Sequence, residues 1–161
     1  MSSQYSVTDT RSKRETRFEG DVLAHVSTNR PGRARWSELT IFKTVGGSYI
    51  LVKAGKSILY HATRACDPRT GRYFVETRGD DRKSGIPCLK CGPGPYDEVV
   101  FEENDLVTVV VNRHARGLVE SAHILDDDQE LFLPRIAKSC LEMASDKDPD
   151  IAEAYRVEVV A

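Results

Sequence analysis

Long apolar segments are missing from this chain of 161 residues. Its longest apolar stretch, Val107 to Val111, is interrupted by Thr108, whereas a membrane-spanning helix needs about 20 apolar residues. The first residues lead into a charged stretch without an apolar core, which predicts that no secretory signal is present. We therefore expect no membrane span and a cytoplasmic protein.

The residue patterns of common enzymes are missing as well. Neither a Gly-x-Ser-x-Gly elbow nor a His-Glu-x-x-His pair occurs. Gly55-Lys56-Ser57 matches the end of a phosphate-binding loop, but Ile50 stands where that loop requires its first glycine. Because no nucleophile, base or open metal site can be assembled from the sequence, we predict a non-enzymatic protein.

Cysteine is scarce, with four residues: Cys66, Cys88, Cys91 and Cys140. In a reducing cytosol such a set is typical of metal ligands or buried thiols, and disulfides are the lesser alternative. Cys140 falls on the apolar face of a predicted helix, so we expect it in the core.

The other three cysteines form a metal-ligand pattern with a histidine. His61-x4-Cys66 is followed after 21 residues by Cys88-x2-Cys91. One nitrogen and three sulfurs are the tetrahedral ligands that structural zinc favours, and a full set of protein ligands leaves no position for activating water. A redox-active or merely buried Cys-x-x-Cys is the alternative. The pair lies among Pro and Gly residues, whereas a helix N-terminus is what lowers a catalytic thiol's pKa.

The same segment resembles a known family. Tyr60-His61 at its start and Gly85-Ile86-Pro87-Cys88-Leu89-Lys90-Cys91-Gly92-Pro93 at its end resemble the small metal-binding module of Ada-type DNA-repair proteins. The similarity covers residues 59–93. His61 stands where Ada has a cysteine, and the first ligands are spaced by four residues where the family usually has three. A methyl-accepting thiolate is therefore lacking, and the resemblance implies zinc binding alone.

A second resemblance is weaker. Residues 35–61 resemble uncharacterised accessory proteins of actinobacterial plasmids and phages, a similarity that names no activity.

Apolar residues make up 40% of the chain and charged residues 30%, which suits one globular domain with much solvated surface. Residues 1–17 are polar and basic, which predicts a disordered basic arm. Residues 18–161 are predicted to form a single α+β domain that contains the zinc-binding module at 60–93. Its predicted architecture is a small antiparallel β-meander with an inserted zinc knuckle and C-terminal helices.

Local patterns predict the elements of this domain. Strands are predicted at 18–27, 36–44, 48–53, 57–61, 97–102, 106–112 and 155–160, with turns at Gly46-Gly47 and Ala54-Gly55-Lys56. The main helix is predicted within 131–144, and weaker patterns predict helices near 113–123 and 149–154. Asp126-Asp127-Asp128 suits a helix N-terminus or a solvated loop better than a cation site.

Charge is unevenly distributed, although the formal total is only −2. Residues 1–92 are basic and residues 93–161 are strongly acidic, which is typical of two electrostatic faces. Basic side chains crowd the zinc segment: Arg64, Arg69, Arg72, Arg78, Arg82, Lys83 and Lys90. These cations suit phosphate contacts, and Tyr60, Tyr73 and Phe74 suit base stacking.

Two functions compete on this evidence. The first is a non-enzymatic zinc-binding accessory protein that binds DNA or RNA. The alternative is a protein-interaction module, a regulator or inhibitor from a mobile element, whose acidic C-terminal half engages a basic surface.

Overall fold

A computed structural model describes residues 2–31, 33–61, 73–76, 86–87, 99–157 and 160, and the fold of these residues is α+β. The strands are β1 Ser3–Thr8, β2 Glu15–Ser27, β3 Arg35–Thr44, β4 Tyr49–His61, β5 Tyr73–Glu76, β6 Ile86–Pro87, β7 Val99–Asn112, β8 Ile124–Leu125 and β9 Leu131–Phe132. The helices are α1 Ala115–Ser121, α2 Arg135–Ser145 and α3 Pro149–Tyr155. None of the helices in the described residues is long and apolar enough to span a membrane.

The strands form one large sheet and one small one. The large sheet has the order β1-β2-β3-β4-β7-β5, and β6 is added in parallel to β4. Strands β8 and β9 pair with each other. Within the predicted zinc knuckle at 60–93, residues 62–72, 77–85 and 88–93 lie outside the described residues.

The predicted hairpin at Gly46-Gly47 is confirmed. Thr44 N–H donates to the Ser48 carbonyl at 2.8 Å, and Gly47 N–H donates to the Thr44 carbonyl at 2.9 Å. Gly47 has a φ of +88°, a conformation that side chains with a Cβ adopt only at a cost. The glycine therefore permits the tight return from β3 to β4.

Two predicted breaks in strands are wrong. Strand β4 passes through Ala54-Gly55-Lys56 without turning. Strand β7 is one continuous strand across residues 103–105, where two strands were predicted. Ser57 Oγ contacts the Asn104 carbonyl at 3.4 Å where the two strands run side by side. Pairing between neighbouring strands outweighs local turn preference at both places.

The N-terminal segment differs from the disordered arm predicted for residues 1–17. Strand β1 pairs with β2, and this register places Tyr5 opposite Phe18. The two rings stack at 5.4 Å between centroids, and Phe42 of β3 packs against both, at 4.9 Å from Tyr5 and 5.0 Å from Phe18. Aromatic partners distant in sequence give this polar segment the apolar contacts that order it.

The chain divides into two compact units. Unit 1 comprises residues 1–28, 38–54 and 107–161, and unit 2 comprises residues 29–37 and 55–106. In unit 1 the sheet buries side chains on both faces, because residues alternate along each strand. On one face, Ile41 and Leu51 pack against helix residues that include Leu118 and Leu141. On the opposite face, Phe42, Ile50 and Val52 pack against Tyr5 of β1 and Phe18 of β2.

The three predicted helices are confirmed, although the main one begins at Arg135 and residues 131–132 of its predicted range form β9. The closing strand predicted at 155–160 is not formed over 155–157, where the structure describes the chain. Tyr155 is the last residue of α3. Arg156 N–H donates to the Glu153 carbonyl and Val157 N–H to the Ala154 carbonyl, both at 3.2 Å, so the chain ends the helix in a tight turn. The alternating apolar residues there carry too little burial to form a strand, since Val157 is 47% exposed.

Candidate metal centre and basic surfaces

The end of strand β4 lies beside the short strand β6. The two strands pair in parallel, with Leu59 opposite Ile86 and Tyr60 opposite Pro87. His61 is the last residue of β4. Cys88 follows Pro87 by one peptide link, about 3.8 Å along the chain. One predicted ligand therefore ends β4, and another is the next residue in the sequence after β6.

Most of the residues predicted for the site fall outside the described part of the chain. His61 is described as the end of a strand. Tyr73 and Phe74 belong to β5, which pairs with β7. The residues outside the described ranges are Cys66, Cys88, Cys91, Arg64, Arg69, Arg72, Arg78, Arg82, Lys83 and Lys90.

Among the described residues, no three His, Cys, Asp or Glu side chains lie close enough to share an ion. Cys140 is fully buried in α2, and its Sγ contacts the Leu39 carbonyl at 3.6 Å. Burial raises the pKa of this thiol to about 12. The prediction that Cys140 is a core residue is confirmed.

Two of the three histidines outside the predicted zinc module lie within hydrogen-bonding distance of nearby groups. His25 Nδ1 lies 2.7 Å from Thr40 Oγ1, and His123 Nδ1 lies 2.8 Å from the Val119 carbonyl. His114 is the N-cap residue of α1, and its side chain makes no capping hydrogen bond.

No protein-family model, curated protein or solved structure matches this chain. Its function is therefore inferred from its own residues.

A basic loop that is not among the predicted nucleic-acid contacts lies in unit 2. We call residues 29–37 the arginine loop. The side chains of Arg30, Arg33 and Arg35 are all exposed. Arg33 N–H donates to the Arg30 carbonyl at 3.0 Å, and Ile58 N–H of β4 donates to the Ala34 carbonyl at 2.9 Å. The available signal was the absence of any Asp or Glu from residue 22 to residue 37.

A second basic group lies in unit 1, in the turn between β1 and β2. We call residues 10–14 the basic turn, and its Arg11, Lys13 and Arg14 side chains are exposed. Asp9 fixes its backbone by accepting hydrogen bonds from Arg11 and Ser12 N–H, each at 3.0 Å. Hydrogen bonds from the backbone hold the pKa of Asp9 below its usual value, so this carboxylate stays ionised beside the cations.

The turn is also tied to β7. Thr10 N–H donates to the Val107 carbonyl, and Val107 N–H donates to Thr10 Oγ1, both at 2.9 Å. Asp9 Oδ2 accepts from Val109 N–H at 3.2 Å. The basic turn is therefore an ordered, anchored surface of unit 1.

A buried polar cluster connects helix α3 with the sheet of unit 1. Asp148 is only 2% exposed, and its Oδ1 accepts from Asp150 N–H at 2.9 Å and Ile151 N–H at 3.3 Å, which caps α3. Its Oδ2 accepts from Lys43 Nζ at 2.8 Å and from Tyr49 OH at 2.9 Å.

The electrostatics of this cluster follow from its hydrogen bonds. Burial raises the pKa of Asp148, but hydrogen bonds from Lys43, Tyr49 and Ile151 outweigh it and bring the pKa below its usual value. The Asp148 hydrogen bond raises the pKa of Lys43. Both oxygens of the buried carboxylate are used in holding the fold together, so the cluster is structural.

Strands β8 and β9 form an acidic hairpin, residues 124–132. Ile124, Leu125 and Phe132 are 41%, 53% and 41% exposed. Asp126 closes the tip, because its Oδ1 accepts from Asp128 and Glu130 N–H, each at 2.9 Å. The three aspartates therefore belong to a solvated turn, one of the two alternatives that the sequence left open, and α2 has no acidic residue in its first turn.

Proposed function

We propose that this protein is a non-enzymatic zinc-binding protein that contacts nucleic acid. Its zinc ligands are His61, Cys66, Cys88 and Cys91. The observation that carries the proposal is the parallel pairing of β4 with β6, which ends one strand at His61 and leads the other directly into Cys88. The resemblance of residues 59–93 to the Ada metal-binding module supports the same ligand set.

The donor set fits zinc in a structural role. Three thiolates and one imidazole fill a tetrahedral ion completely. Structural zinc contributes an apparent binding free energy of about 10–16 kcal/mol at neutral pH, enough to hold a short polar segment that has little apolar core of its own. Zinc would supply cross-linking of the segment, and the protein's own residues would supply its contacts with a partner.

The charge of unit 2 favours nucleic acid as that partner. Unit 2 holds 11 of the 23 Lys and Arg residues but only nine of the 25 Asp and Glu residues, which gives it a net charge of +2 within a chain of net charge −2. Cationic side chains bind the phosphate backbone by releasing its condensed counterions. The unit that carries the predicted zinc ligands therefore also carries the excess of cations.

The metal site is tested by mass spectrometry of protein purified without added metal. We expect about one zinc per chain in the wild type and loss of this zinc in Cys88→Ser and in His61→Asn, because each removes one ligand. Cys140→Ala is the matched control, since this thiol is buried in the core of unit 1. Full zinc content in Cys88→Ser, or none in the wild type, would overturn the site.

The nucleic-acid part is tested by fluorescence anisotropy with labelled DNA and RNA oligonucleotides at several salt concentrations. Binding that weakens steeply with salt is expected, because phosphate contacts release counterions. No binding at about 50 mM salt, the low end of the range in which such contacts are measured, would refute this part while leaving the zinc site untouched.

The acidic hairpin supports a second candidate, a protein-interaction module. Exposed Ile124, Leu125 and Phe132 flank four carboxylates at residues 126–130, and no Lys or Arg occurs from residue 124 to residue 132. Apolar side chains beside a single sign of charge fit a partner surface that is apolar and basic. Affinity purification tests this candidate: one dominant protein must copurify with the wild type and be lost from a D127N/D128N/E130Q variant.

A further inference from the structure

We propose that the arginine loop, residues 29–37, is the element that holds the phosphodiester backbone of the nucleic acid. The inference rests on the proposed function and names the surface that performs it. It concerns a loop that the spacing of the metal ligands does not point to.

The side chains of the loop suit phosphate. Its three cations are all arginines, and each guanidinium presents a planar fork of N–H donors that binds two phosphate oxygens at once. All three side chains are exposed. The stretch from residue 22 to residue 37 contains no Asp or Glu, and the first carboxylate after the loop is Glu38.

The backbone holds these arginines in a fixed arrangement. The hydrogen bond from Arg33 N–H to the Arg30 carbonyl closes a turn, and the end residues of a β-turn lie within about 7 Å of each other. Arg35 is the first residue of β3, so its backbone belongs to the sheet. Ala34 lies between Arg33 and Arg35, and its carbonyl accepts a hydrogen bond from Ile58 N–H of β4. A loop ordered before binding loses less entropy when it binds.

The anchor of the loop lies on the strand that ends at His61. Ile58 precedes His61 by three residues on the same strand, a distance of about 10 Å at the rise of about 3.3 Å per strand residue. Both belong to unit 2. The anchor of the loop and one predicted zinc ligand therefore belong to the same strand of the same unit.

The basic turn of unit 1 is the competing surface, and its surroundings disfavour it. Its three cations are flanked in sequence by Asp9 and Glu15. Unit 1 as a whole has 12 Lys and Arg residues against 16 Asp and Glu residues. The turn carries the same formal charge as the loop in a more acidic setting, which makes it a matched control.

The experiment compares two variants that lose the same charge. R30Q/R33Q/R35Q removes the cations of the loop, and R11Q/K13Q/R14Q removes those of the turn. Binding of each protein to a fluorescein-labelled DNA duplex, the corresponding DNA single strand and the corresponding RNA duplex is measured by anisotropy from about 50 to 200 mM salt. A third variant, R30K/R33K/R35K, keeps the charge and removes the bidentate geometry.

The expected result is a change in the slope of log affinity against log salt. Three lost phosphate contacts lower its magnitude by about 2.7 on duplex DNA and about 2.1 on a single strand. We expect this loss in R30Q/R33Q/R35Q and a wild-type slope in R11Q/K13Q/R14Q. The lysine variant is expected to keep the slope and bind more weakly, because lysine makes a point-charge contact. The probe that binds most tightly identifies the preferred nucleic acid.

Each of the other outcomes would refute the arginine loop as the contact, either alone or together with the proposed function. Equal loss of slope in both glutamine variants would show that net charge alone matters, and it would refute the loop as the contact. A wild-type slope in R30Q/R33Q/R35Q would refute the loop and leave nucleic-acid binding intact. Absence of binding by the wild type to all three probes would refute the proposed function and the loop together. Thermal unfolding of each variant beside the wild type verifies that it is folded at the assay temperature.

Discussion

Removal of the Asp148 carboxylate is expected to destabilise unit 1 substantially. In Asp148→Ala, helix α3 loses the acceptor for Asp150 and Ile151 N–H, and an N-cap of this kind contributes about 1 kcal/mol. The hydroxyl of Tyr49, a residue only 3% exposed, loses its acceptor, which costs about 1–3 kcal/mol when the group stays buried. The Lys43 side chain is 37% exposed, so its ammonium regains water at little cost. The expected total is about 2–4 kcal/mol.

Two further substitutions separate these contributions. Asp148→Asn keeps an oxygen for the helix cap but loses the charge, so a smaller loss of about 1–2 kcal/mol is expected. Tyr49→Phe removes the hydroxyl together with its need for a partner, and we expect about 1 kcal/mol. Urea denaturation followed by circular dichroism gives each free energy of unfolding. A value for Asp148→Ala within about 0.5 kcal/mol of the wild type would refute the reasoning, because a change that small is typical of a surface site.

Two other predictions concern the same unit. The pKa of Asp148 is lowered in the folded protein, so its contribution to stability is fully present above its unfolded pKa of about 3.9 and is lost as the pH falls through its lower folded pKa. Urea titrations from about pH 6 to about pH 2 should therefore show the unfolding free energies of the wild type and Asp148→Asn converging at the acid end. A constant difference between the two proteins across this range would contradict the prediction. In Gly20→Ala the new Cβ would clash with the Lys43 carbonyl oxygen, a backbone atom that cannot move aside freely, so a loss of about 1–3 kcal/mol is expected. Gly46→Ala is its control, because the nearest atom there is Thr44 Oγ1 at 3.8 Å, and equal melting temperatures for the two variants would contradict the register of β2 on β3.

Features that depend on neighbours in the sequence could be predicted without the structure. The apolar spacing around Cys140 and Leu141 predicted the main helix, and the glycine pair at 46 and 47 predicted a hairpin. The strand at Ser3–Thr8 could not be predicted in this way. Its two inward-facing residues, Tyr5 and Val7, become apolar contacts only when Phe18 and Phe42 are brought beside them by the folded sheet. Strand pairing likewise overrode the turn chemistry around Gly55.

The candidate site likewise has one part that local sequence predicts and one part that it does not. Ligand spacing alone predicted the metal site, since four donors of the right chemistry in one short segment are a local pattern. The arginine loop has no such pattern, because three arginines among turn-forming residues are typical of any solvated loop. Its significance depends on the bond between Ile58 and Ala34, which joins two segments more than twenty residues apart in the chain.

The burial of Cys140 allows the thiols of the proposed zinc ligands to be counted separately from this one. A thiol reacts as its thiolate, and with a pKa of about 12 only about one Cys140 in ten thousand is ionised at about pH 8. A thiol reagent added to the folded protein is therefore expected to leave Cys140 unmodified. On the proposed zinc site, release of the metal adds three reactive thiols per chain, those of Cys66, Cys88 and Cys91, and the Cys140 thiol is expected to react only after unit 1 unfolds.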